Sequence, residues 1–335
     1  MARSPTADGA LNLSEEVADA LRDRRPVVAL ESTVLTHGLP RVACELSEAF
    51  MHAYPAWNHT LPANLAAALS AEKAVRGAGA VPATIALIDG RVHVGLSHNQ
   101  LERITAYRDP AKLSMRDLGA AIALGRTGGT TVASTAALAA AAGISLFATG
   151  GIGGVHRGWH STLDVSADLE AIARHRVLVV CAGAKVLLDL PATLEALETL
   201  GVPTLGYQGR ALPRFTVAPD PNLLLHDAVD SPTQAAKVAR AHWSIAPACG
   251  MLLMQSCPSQ FALPAHEIEA ALESALAAAN AQGIRGAATT PFLLAHLAQS
   301  HRGDQVPSPV LEANLALLFA NAALAAEVSS ALATD

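Results

Sequence analysis

Short apolar runs that end in glycine-rich turns and lead into alanine-rich helical stretches recur along this chain, and that repeat limits its fold most. Residues 25–34 read as a first buried strand that carries Glu31 toward the interior. Helix follows at 62–77, then strand at 82–91 and a short partner at 92–96, with Asp89-Gly90 between them as a hairpin signal. Helices are expected at 14–21 (Ser14 as N-cap), 117–124, 132–142 (ended by Gly143) and 190–200, and strands at 145–150, 176–181 and 203–207. The last third reads as helical at 231–243, 264–282, 291–299 and 310–332. Buried runs alternating with helices call for an α/β fold, a largely parallel sheet with helices on its faces.

Composition narrows the possibilities. At 335 residues, 51% hydrophobic and 16% charged, the chain can bury a large core, and with no linker of disordered composition a single domain over 1–335 is expected. A net charge of −6 gives no general attraction to nucleic acid or anionic membrane, so an anionic ligand needs a local site. Cys44, Cys181, Cys249 and Cys257 form no CxxC pair and lack metal-ligand spacing, as in a reducing, cytoplasmic protein. The first twenty residues contain no long apolar core, so neither signal peptide nor membrane anchor is expected.

Four lysines occur among 23 Lys and Arg, and Lys185 ends the run Arg176-Val-Leu-Val-Val-Cys-Ala-Gly-Ala-Lys. Where this sequence needs surface charge it uses arginine. A lysine at the mouth of an apolar strand suggests a deprotonatable amine, which guanidinium cannot supply. Desolvation would make that amine a nucleophile toward a carbonyl or sugar carbon. A snorkelling surface lysine is the competing reading.

Three clusters could complete a site. Glu31, in Glu31-Ser-Thr-Val-Leu-Thr-His37-Gly, would have a raised pKa in an apolar setting and could act as a general acid, or it could be a structural carboxylate. Arg126-Thr-Gly-Gly-Thr-Thr-Val-Ala-Ser-Thr places glycines and hydroxyls, including Thr130 and Thr131, before a helix, as an anion cradle or a plain turn would. It lacks the Gly-Lys-Ser/Thr ending of a P-loop. Thr149-Gly-Gly-Ile-Gly-Gly-Val-His156-Arg157-Gly lacks GxGxxG spacing, so dinucleotide binding is not indicated. His156 and Arg157 offer cationic contacts there, while Asp164 and Asp168 offer hard oxygens for Mg or Mn, or act as caps.

Taken together, these blocks resemble pseudouridine-5′-phosphate glycosidase, the pseudouridylate synthase family. The resemblance rests on Ala29-Leu-Glu-Ser-Thr, Gly129-Thr-Thr-Val-Ala-Ser-Thr, Phe147-Ala-Thr-Gly-Gly-Ile-Gly-Gly-Val-His-Arg-Gly, Asp164-Val-Ser-Ala-Asp-Leu and Val180-Cys-Ala-Gly-Ala-Lys. Thr290-Pro-Phe-Leu-Leu-Ala and Glu312-Ala-Asn-Leu-Ala-Leu-Leu-Phe-Ala-Asn extend it, so that it spans about 12–330. It implies a three-layer α/β/α sandwich, a homotrimer, manganese, and cleavage of pseudouridine 5′-phosphate to uracil and ribose 5-phosphate. By similarity, Lys185 attacks ribose C1′, Glu31 protonates uracil C5 and Asn314 helps the C–C cleavage. Lys112, Val132, Ser166, Ala167 and Asp168 match substrate contacts, and Asp164 carries the metal mainly through water.

Two departures stand out. Between Pro40 and Pro62 the chain carries a stretch, 41–61, that the usual family sequence lacks, and Trp159 follows His156-Arg-Gly where a smaller residue is expected. The rival readings are another Schiff-base lyase or aldolase acting on a sugar phosphate, and an inactive binding homologue.

Overall fold

The computed structural model describes residues 11–284, 292–293 and 308–334. Its centre is a mixed sheet. Along it run Leu11–Leu13, Arg91–Val94, Val81–Ile88, Val27–Leu30, Leu146–Ala148, Leu178–Cys181, Met251–Met254, Thr204–Tyr207 and Asp227–Val229. From Val81–Ile88 to Asp227–Val229 every neighbouring pair is parallel. Val81–Ile88 also pairs antiparallel with Arg91–Val94 and with Gly128–Thr130.

The strands are apolar on both faces because both faces are covered. In Val27–Leu30, Val28 and Leu30 enter one core while Val27 and Ala29 enter the other. Leu178–Cys181 and Met251–Met254 alternate in the same way. One core is closed by Ala63–Gly77, Pro232–Ile245 and Pro309–Ala333, the other by Glu15–Arg22, Val132–Ala141, Ala167–Arg174 and Leu190–Thr199. This is the expected three-layer sandwich, with period-two burial in strands expressed as two separate cores. Pro309–Ala333 is long and apolar enough to cross a bilayer, yet 67% of its most apolar window is buried, as befits a helix lying on the sheet.

Local signals account for the element ends. Ser14 Oγ accepts from Val17 N–H at 3.3 Å and caps the first helix. Asp89 and Gly90 both adopt positive φ, 49° and 73°, which the tight hairpin requires. The helix ended at Gly143 runs Val132–Ala141, with Ala142 as its cap and the glycine one residue beyond.

Other elements departed from the sequence pattern. Met251–Met254 is a fully buried strand in the middle of the sheet, and its four apolar residues carry no period of their own. Ala211–Arg214 and Val217–Leu224 form a separate hairpin despite Pro219 and Pro221 in the second strand. After Glu31 the chain enters a π-helical turn, Val34–Gly38, instead of continuing extended. The helix expected at 291–299 lies outside the described residues, apart from Phe292 and Leu293, which are helical.

Candidate active site

Parallel register creates the site. Leu30 pairs with Ala148, and Ala148 with Val180, so three adjacent strands finish side by side. The residues that follow, Glu31, Thr149 and the turn leading to Lys185, emerge together at the carboxyl edge, where open α/β sheets bind ligands. Thr149 Oγ1 donates to Glu31 Oε1 in a short hydrogen bond. Glu31 keeps partial surface exposure, but its carboxyl is buried, and burial raises its pKa above the usual 4.5. The Lys185 charge, the Thr149 hydrogen bond and the Lys112 charge oppose that rise, while the Asp168 charge adds to it. The environment therefore favours the proton-bearing acid.

Lys185 reaches the same edge through a constrained turn. Gly183 has φ +79°, and a Cβ there would lie 2.2 Å from the Pro213 carbonyl oxygen. Any side chain would move the turn and Lys185 with it. Two segments, 150–156 and 182–189, run alongside each other: Ala182 N–H donates to Gly150 O, Ile152 N–H to Gly183 O and Lys185 N–H to Ile152 O. Lys185 is half-buried, and its charge reaches Glu31.

The C-terminal helix supplies the third side. Asn314 is half-buried, and its Oδ1 lies 3.7 Å from where a Cβ on Gly150 would sit. Two turns along the same face, buried Asn321 donates from Nδ2 to Thr149 O at 2.9 Å and steadies the residue that bonds Glu31. Phe215, at φ +59°, lays its ring against Gly150 and Gly151, while its N–H donates to Ala182 O at 2.7 Å. Thr149, Asn321 and Phe215 were not singled out by the sequence reading. Thr149 and Asn321 do lie inside the blocks that carry the family resemblance, and Phe215 follows an otherwise unremarkable Leu-Pro-Arg.

The other side of the cleft is a pair of glycine-rich turns whose main-chain amides are held by one carboxylate. Asp168 Oδ1 accepts from Ala133 N–H at 2.9 Å, at the start of helix Val132–Ala141, and its Oδ2 accepts from Gly153 N–H at 2.8 Å. One carboxylate thus ties both glycine-rich turns together. Gly153 is required by that closeness, since a Cβ would lie 2.2 Å from Ser166 Oγ. Ser166 caps helix Ala167–Arg174, and exposed Ala167 is its first residue. Val132 is the first residue of its helix and Thr131 its N-cap, the latter without a side-chain cap bond. Thr130 differs from the expectation. It is fully buried, its Oγ1 donates to Ile85 O at 2.7 Å and its N–H to Ser32 Oγ at 3.0 Å, so it shapes the turn from behind. Lys112 stands exposed on the edge strand Ala111–Leu113, opposite Gly129. Its charge reaches both Glu31 and His37, and after desolvation it is the main cause of the lowered His37 pKa.

Asp164 lies to one side of this cleft. Its Oδ2 is 3.7 Å from His156 Nδ1, and its carbonyl accepts the His156 N–H. No group of three metal-ligating side chains exists among the described residues. The donors fit a hard divalent ion bound through one carboxylate, with water completing the shell, and do not fit a closed protein cage.

Comparison with known proteins finds relatives over nearly the whole chain. The family model described as Indigoidine synthase A like protein matches residues 16–53 and 42–331. A pseudouridine-5′-phosphate glycosidase of Herpetosiphon aurantiacus is 50% identical over 322 residues, covering 96% of this chain and 98% of that protein. The chain belongs to the pseudouridine-5′-phosphate glycosidase family. The Escherichia coli glycosidase is 44% identical, covering 95% of this chain and 94% of its own. Among solved structures, the prealnumycin C-glycosynthase AlnA in complex with ribulose 5-phosphate superposes with a TM-score of 0.83 at 38% identity, covering 97% of this chain and 98% of its own. An indigoidine synthase A-like protein of Thermotoga maritima gives 0.80 at 27%, covering 99% and 100%. The two pieces of the family match overlap at 42–53, inside the stretch 41–61.

Proposed function

We propose that this protein cleaves the C–C glycosidic bond of pseudouridine 5′-phosphate, giving uracil and ribose 5-phosphate. One observation carries the reading: a buried, proton-favouring Glu31 lies within reach of the Lys185 charge, beyond the ends of the two strands that flank Leu146–Ala148. A C–C bond has no heteroatom leaving group to protonate, so it needs both an electron sink and a proton at carbon. The Lys185 amine attacks C1′, C1′–O4′ breaks, and the proton lost by nitrogen balances the one gained by O4′. Glu31 then delivers its proton to uracil C5 while the nitrogen lone pair replaces the C1′–C5 bond, leaving a Schiff base. Water hydrolyses that base to ribose 5-phosphate and frees Lys185. Asn314 would hold uracil. Lys112 and the start of the helix at Val132 would hold the phosphate, and the Ser166–Asp168 segment would touch the substrate.

Asp164, with His156 beside it, would carry a hydrated manganese ion that neutralises anionic substrate charge. A homotrimer, a single domain over the chain and cytoplasmic residence complete the proposal; family resemblance supports the first two, and free thiols suit the third. Incubation with pseudouridine 5′-phosphate should release free uracil, read by chromatography. A Schiff-base aldolase would consume sugar phosphate and release none, which would overturn the reading.

A further inference from the structure

The stretch 41–61 leaves the fold and returns at one place. Ala63 N–H donates to Val42 O at 2.9 Å, and Asn64 N–H to Pro40 O at 3.0 Å. Between those ends the chain folds against the C-terminal helix. Fully buried Phe50 packs its ring 4.7 Å from Tyr54, 5.4 Å from Phe261 and 6.5 Å from Phe319. Tyr54 O–H donates to Ala316 O at 3.4 Å. Ser47 gives both of its donors to one buried carboxylate, N–H to Glu312 Oε1 at 2.5 Å and O–H to Glu312 Oε2 at 3.0 Å. At the near end Arg41 donates from Nη2 to Thr36 O and from Nη1 to Tyr107 O, each at 2.7 Å, holding the π-helical turn that follows Glu31.

Glu312 is two residues from Asn314 in the first turns of the helix Pro309–Ala333. At 3.6 residues per turn the two side chains diverge by roughly 200°. Glu312 faces the stretch 41–61 and Asn314 faces Gly150. Whatever anchors Glu312 therefore sets how far Asn314 projects into the cleft. We propose that Ser47 and Glu312 are positioning residues, and that 41–61 is a brace spanning from the Glu31 turn to the helix that carries Asn314. The proposal rests on Asn314 taking part in cleavage.

A double-mutant cycle tests it, with uracil release measured for wild type, Glu312→Ala, Asn314→Ala and the double variant, alongside thermal melting. Misplacement of a substrate-holding group should lower kcat about 10-fold in Glu312→Ala with KM within about two-fold, and Ser47→Ala should move kcat the same way. Because Glu312 acts through Asn314, its substitution should cost nothing further once Asn314 is alanine. Wild-type kcat in a folded Glu312→Ala variant, or the full loss repeated on the Asn314→Ala background, would overturn the proposal. If Asn314→Ala alone keeps wild-type kcat, it is the reading of Asn314 that fails. Should Glu312→Ala not fold, Glu312→Gln and Ser47→Ala carry the same cycle.

Discussion

The inner wall of the cleft is made of side chains delivered by strand register, whereas its outer rim is made of main-chain amides held by one carboxylate. On the wall, Glu31 and Lys185 each occupy a place that the pairing of Leu30, Ala148 and Val180 dictates, and burial decides the protonation of Glu31. On the rim, Ala133 and Gly153 point their N–H groups as they do because Asp168 accepts from both. On the proposed mechanism a side chain on the wall does chemistry, whereas on the rim Asp168 holds a shape and Lys112 supplies charge. Substitutions on the wall should therefore change kcat, and substitutions on the rim should change KM.

The largest effect that tests this contrast is expected at Glu31. Glu31→Gln removes the proton donor and should lower kcat about 10²- to 10⁴-fold, the range for a positioned general acid, with KM little changed. Ribose 5-phosphate should still form its borohydride-reducible adduct with that variant, because Schiff-base formation does not need uracil C5 protonated. Lys112→Ala comes next. Losing a charge-assisted phosphate contact of about 1.5–3 kcal/mol should raise KM roughly 10- to 100-fold with kcat nearly intact. A kcat loss with unchanged KM would erase the distinction between wall and rim.

The smallest effects are in pH dependence, and their signs oppose each other. On the proposed mechanism cleavage uses the acid form of Glu31, so activity should persist above the ordinary carboxylate range and fall as pH rises through its raised pKa. The Thr149 hydrogen bond lowers that pKa, so Thr149→Val should move the alkaline limb of the kcat profile to higher pH. The Asp168 charge raises it, so Asp168→Asn should move the limb to lower pH while also raising KM. The same protonation contributes stability that is complete below about 4.5 and is lost as pH rises through the folded value. Limbs moving in one direction for both variants would contradict the charge arrangement around Glu31.

The wall was more legible in the sequence than the rim. Strand, turn and helix alternation places Glu31 and Lys185 at strand ends, and a rare lysine after an apolar run marks itself. Which strands are neighbours is a long-range fact, so the Thr149 bond to Glu31 could not be read locally. Asp168 was legible as a carboxylate that could bind substrate, metal or a helix end; only the fold shows it bridging two turns. Thr130 looked like a phosphate ligand by its place among hydroxyls, yet tertiary packing turned it inward onto Ile85. The stretch 41–61 stood out as irregular, but its packing against Glu312 and Phe319 joins residues some 265 positions apart.

The central claim is that Lys185 becomes covalently bonded to ribose C1′. Borohydride reduction in the presence of ribose 5-phosphate, followed by peptide mass mapping, tests it most directly. The account predicts a reduced pentose phosphate adduct on the peptide carrying Lys185, absent in Lys185→Ala, which should also release no measurable uracil. A folded, uracil-releasing wild-type enzyme with no adduct at Lys185, or with the adduct on Lys112, would contradict it.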